Sequence, residues 1–148
     1  MLDRLKRLFE ISDAPTYALG PGDLQLAVAA LLVEAARMDD SFGKEERAMI
    51  AQVLSGRFGL SEAEVDGLVG RASDEMQDNV QYFPFTHHIN TMMSATEKIE
   101  VIEMLWQVAY ADGRLDPNED RLIRQIAGLI YVEDRDRMEA RKRVLGTS

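Results

Sequence analysis

The sequence predicts an all-α protein, a pseudo-twofold helical bundle of two helix-acidic loop-helix hairpins plus accessory helices. Three observations lead there. Apolar residues recur at three- and four-residue spacing along most of the chain, and no stretch sustains the period-two alternation of a half-buried strand. Helix-opening signatures follow one another at Ser61-x-x-Glu64, Ser94-x-x-Glu97 and Asp116-Pro117-x-Glu119. Finally, the chain aligns with itself at an offset of 73 positions, Gln25–Leu54 on Lys98–Ala127 without a gap, and seven of the thirty pairs are identical. The matches fall on the apolar stripe and at the loop: Val28 with Val101, Leu32 with Leu105, Ala36 with Ala109, Asp39 with Asp112, Glu46 with Glu119, Ile50 with Ile123. Such a pattern implies two hairpins whose apolar faces bury each other.

The elements read in order as follows. Leu2, Leu5, Leu8 and Phe9 interleave with Arg4, Lys6 and Arg7, so residues 1–11 read as a short amphipathic helix. Residues 12–22 hold two prolines and two glycines and read as a linker that lets the first helix sit apart from the body, residues 23–148. Asp23 is the expected N-cap of a helix running to about Met38. A second helix runs from about Lys44 to Phe58 and stops at Gly59, a residue suited to the left-handed turn beyond a helix. The capping boxes open the third helix and, later, a long one; Tyr82-Phe83-Pro84-Phe85 is an apolar entry into a helix over the core. Asp116 and Pro117 open the next helix, and the last starts near Asp134.

Composition narrows the function. The chain has 148 residues, one domain's worth, and no cysteine, so neither a disulfide nor a thiolate metal site is expected. Its longest apolar run, Leu26–Val33, is far shorter than the roughly 20 residues of a membrane span. Residues 1–11 are charged throughout and lack the form of a secretory signal, which makes the cytoplasm the expected location. The net charge is −9, with +1 on residues 1–11, +1 on 132–148 and −11 between them. An acidic body repels phosphate backbones, so nucleic acid is not an expected partner. Contact with an anionic membrane through the three basic residues of 1–11 would be weak without a second anchor.

Each hairpin loop spaces an Asp and a Glu by six residues: Asp39 to Glu46, and Asp112 to Glu119. A Glu in the first turn meets the positive helix end and closes a capping box, so the glutamates have a purely structural reading. The aspartates sit at helix ends, where a negative charge opposes the dipole by roughly 0.3 to 1 kcal/mol, and they do so twice. As turn residues they would accept loop amides. As ligands, Asp39, Glu46, Asp112 and Glu119, with Asp40 and Asp116 as additions, would offer oxygen to a hard divalent cation, Ca²⁺, Mg²⁺ or Mn²⁺. Neither loop has the ligand pattern of an EF-hand.

Ala111-Asp112-Gly113-Arg114-Leu115-Asp116-Pro117-Asn118-Glu119-Asp120 resembles the signature loop of the tellurite-resistance protein B (TerB-like) family. The resemblance covers about Leu24 to Leu129 and leaves the linker and terminal helices outside. It implies a pseudo-symmetric helical bundle of the bacterial cytoplasm, with acidic residues that bind metal and a role in stress response. Carried over by position, the ligands are Asp39, Glu46, Asp112 and Glu119. The first copy departs from the usual Asp-Gly with Asp39-Asp40, a fifth carboxylate.

Other candidates carry less. His87 and His88 point about 100° apart on a helix, with no further His or Cys to join them, and are expected to be structural or at the surface. Trp106, beside the Leu105 stripe, is expected to anchor the core. No nucleophile elbow or phosphate loop is present. The expectation is a stress-associated binding module, not an enzyme, that holds a divalent cation and docks to protein partners. The alternative is a metal-free interaction scaffold whose acidic residues cap helices; a metal-dependent hydrolase ranks third.

Overall fold

The computed structural model describes residues 23–38, 43–78 and 81–146. Residues 1–22 and Asp39 to Phe42 lie outside this description, and with them the expected first helix, the linker and half of the first acidic loop. Among the described residues there are seven helices and no strand: α1 (Leu24–Arg37), α2 (Lys44–Phe58), α3 (Glu62–Asp78), α4 (Phe83–Met92), α5 (Ala95–Ala109), α6 (Pro117–Leu129) and α7 (Asp134–Leu145). No described helix is long and apolar enough to cross a membrane.

Helix α1 is the axis. Every residue from Leu26 to Ala36 is buried, Glu34 included, because α2, α3, α4, α5 and α6 all pack around it. A helix enclosed on all sides must be apolar all round, which explains the run Leu26–Val33. Asp23 does not cap α1 through its side chain, contrary to expectation; its carboxylate pairs with Arg71 of α3 at 3.8 Å. Helix α2 buries one stripe, Ile50, Val53 and Leu54, and ends at Gly59 in the left-handed region (φ 64°). Helix α5 opens with the Ser94–Glu97 capping box and holds Trp106 wholly buried, its indole N–H donating to the Arg137 carbonyl of α7 at 3.1 Å.

The internal repeat extends further than the hairpins. α2 and α6 begin 73 residues apart, at Lys44 and Pro117, and the third helices α3 and α7 begin 72 apart, at Glu62 and Asp134. The lost residue falls before the left-handed position that ends each second helix, which is Gly59 in one copy and Tyr131 (φ 62°) in the other. The closely packed pairs of α1, α2 and α3 recur as pairs of α5, α6 and α7. Contacts between the copies are reciprocal too, α2 on α5 and α6 on α1. The repeat is therefore a three-helix unit, and α4 stands outside it, packed on α1 and α6.

Candidate metal site in the acidic loops

The second helix of each unit begins with the same local chemistry. Gly43 precedes α2 with extended backbone, and its amide donates to Oε1 of Glu46 at 3.1 Å. Asp116 precedes α6, accepts the Asn118 amide on Oδ1 at 2.7 Å, and donates its own amide to Oε1 of Glu119 at 3.3 Å. Both glutamates thus accept the amide of the residue that precedes the helix, as the structural reading of the sequence requires, but only Asp116 has a side chain to complete a capping box. Asp112 is exposed and accepts the Arg114 amide at 3.0 Å, a local turn made possible by Gly113 at φ 87°.

Capping does not account for the burial of these glutamates. Glu64 and Glu97 accept the amides of Ser61 and Ser94 in the same way, and the serine hydroxyls accept the glutamate amides in return, yet Glu64 is exposed and Glu97 half-exposed. Those serine bonds hold both carboxyls below their ordinary pKa. Glu46 and Glu119, by contrast, are only 2% and 1% exposed. Burying a carboxylate is costly, and this chain does so at equivalent places in both units.

Of the expected ligands, Asp116 and Glu119 meet in one capping box, Asp112 turns to its own loop backbone, and Asp39 and Asp40 lie outside the described residues. Among the described residues no group of three or more acidic or histidine side chains is gathered closely enough to hold a metal ion. The donor chemistry fits a hard cation, since every candidate is a carboxylate oxygen.

A third buried carboxylate escaped the sequence reading. Glu34, 4% exposed in the last turn of α1, accepts the Tyr82 hydroxyl at 2.9 Å and faces Arg37 at 3.6 Å. Burial, with the hydrogen bond to Glu34, pushes the Tyr82 phenol up to about 12. The signal was a lone charge inside an otherwise apolar run. The remaining candidates behave as expected: His87 is exposed and stacks on Phe83 with ring centroids 5.3 Å apart, and Trp106 anchors the core.

The acidic loop within each unit carries the resemblance, and the comparison with protein families agrees with it. Residues 25–142 match the family described as tellurite resistance protein TerB. The chain belongs to the TerB family. The match runs beyond the Leu24–Leu129 span legible from the loops because it takes in most of α7, the third helix of the second unit. No curated protein and no solved structure matches the chain.

Proposed function

We propose that this TerB-family chain is a non-catalytic cytoplasmic module that binds one divalent cation through its duplicated acidic loops and docks to protein partners in a stress response. The observation that supports it is the burial contrast among the capping glutamates: Glu46 and Glu119 are enclosed where Glu64 and Glu97, which accept N-cap amides in the same way, are not. A dication beside them would be attracted to two enclosed carboxyl groups. Asp39, Asp40 and Asp112 complete the oxygen-donor set, and Ca²⁺, Mg²⁺ and Mn²⁺ are the ions suited to it. The test is calorimetric titration of the chelator-treated chain with each ion, beside the Asp112→Asn variant. Binding in wild type that Asp112→Asn weakens supports the reading; no heat from any of the three ions at millimolar concentration overturns it.

The metal-free scaffold has its own supporting observation, since the carboxylates of Asp112 and Asp116 accept backbone amides, the ordinary work of turn and cap residues. On that reading the docking surface alone is functional, and the melting temperature is indifferent to metal and chelator.

A further inference from the structure

The two units are not equally covered. In the first, α4 lies over α1 and α6, held by the Tyr82 hydroxyl on Glu34 and by the Asn90 amide on the Leu129 carbonyl at 2.9 Å. On α1, Ala27 and Ala30 share the helical face of Glu34, and all three are buried. Their equivalents on α5 are Glu100, Glu103 and Gln107, all at least partly exposed. The equivalent of Leu129 is Gly56, at which an added side chain would meet only open space. Between α2 and α5, where the pseudo-twofold would place a counterpart of α4, there is an open groove of about 310 Å³ lined by Gln52, Gly56, Arg57, Glu100, Glu103 and Gln107.

We infer that residues 1–11 dock as a helix in this groove between α2 and α5, in the pseudo-twofold equivalent of the seat that α4 fills between α1 and α6. Chain order points to this occupant: α4 directly precedes α5, the first helix of its unit, and residues 1–11 precede α1, the first helix of the other. The joint is longer, residues 12–22 in place of Met93 and Ser94. Eleven residues span up to about 36–40 Å, more than the roughly 21 Å length of α1. The pattern of residues 1–11 fits as well. Leu5 and Phe9 share the four-residue spacing of Phe85 and Ile89, the residues that α4 buries. Charge complements it: residues 1–11 carry a net +1, and beside the groove Glu97, Glu100 and Glu103 outnumber Arg57 and Arg143, which bridge them. The N-terminal segment then completes the repeat as a fourth helix, in place of a separate arm.

The test uses the full chain. With no native cysteine, Lys6→Cys takes a single nitroxide label, and broadening of backbone amide signals reports its neighbours. Docking predicts that Gln52, Gly56, Glu103 and Gln107 lose more than half their intensity, while Phe85 and Leu129, in the seat of α4, lose none. Adding Gly56→Trp, which fills the groove from an exposed helical position, should restore the signals; should that variant fail to give a folded spectrum, Glu100→Lys at low salt serves the same purpose. Absent or scattered broadening overturns the inference, as does broadening that survives Gly56→Trp. Broadening seen on isotope-labelled chains from nitroxide carried by other chains assigns the groove to a second copy and also overturns it.

Discussion

Removing one oxygen atom tests whether the buried Glu34 cluster holds α4 on the body. In Tyr82→Phe the ring stays and the hydroxyl that donates to Glu34 at 2.9 Å is lost. Glu34 is 4% exposed, so water replaces that donor poorly, and Arg37 lies 3.6 Å away as a charged neighbour. A hydrogen bond to a charged group contributes about 1.5 to 3 kcal/mol. For a chain of this length 1 kcal/mol moves the melting temperature by roughly 2–4 °C, so a loss near 2 kcal/mol predicts a fall of about 4–8 °C. The exposed Tyr131→Phe is the control and should stay within about 0.5 kcal/mol of wild type. The pH dependence has a definite sign. The Tyr82 phenol titrates at about 12 in the folded chain against about 10 when unfolded. Its contribution is therefore complete below pH 10 and lost as pH rises from 10 towards 12. Tyr82→Phe should flatten that alkaline limb of a stability profile measured by urea unfolding. Equal melting of Tyr82→Phe and Tyr131→Phe, with an unchanged alkaline limb, would refute the idea that this bond carries the seat of α4.

Three further outcomes are expected. In saturating dication the wild type should gain about 2.7 kcal/mol at a hundredfold excess over Kd; Glu119→Gln should lose most of that gain, whereas Glu97→Gln should keep it and cost a fraction of a cap's roughly 1 kcal/mol. Melts that do not respond to Ca²⁺, Mg²⁺, Mn²⁺ or chelator in any of these chains favour the scaffold. Gly59→Ala forces a β-carbon into the left-handed region at φ 64° and should lower stability by about 1–2 kcal/mol, whereas Gly56→Ala, on an open helical face, should raise it by about 0.5–1 kcal/mol; guanidinium melts showing the reverse order would contradict the helix boundaries. Deleting residues 1–22 should leave a cooperative melt, because α1 to α7 share one core; a molten product would show that those residues belong to it.

Much of the fold could be read from local chemistry. Ser94 with Glu97 and Asp116 with Pro117 and Glu119 mark helix starts by satisfying the free amides of a first turn, and both boxes form where expected. Such signals depend on a few adjacent residues, so they survive without knowledge of the fold. Asp23 shows their limit. It has the right type for an N-cap, but its carboxylate is turned to Arg71 of α3, a partner 48 positions away. The candidate site divides in the same way: spacing and type singled out Glu46 and Glu119, but their capping and their burial come from different levels of structure.

The sequence by itself determined the helical class, the two hairpins and the acidic loops, because periodicity, caps and a repeat at offset 73 are written in residue types. Only the tertiary structure decided that the repeat is a three-helix unit. Its third helices retain position and packing but little sequence, Val65 standing where Arg137 stands, both buried. It also decided which capping glutamates are enclosed, since burial depends on what neighbouring helices bring to a surface. And it alone separated the two seats. Ala27 and Ala30 are buried on the face of α1 that carries Glu34, the partner of Tyr82, while Glu100 and Glu103 line an open groove, a difference that exists only once α4 has chosen a side.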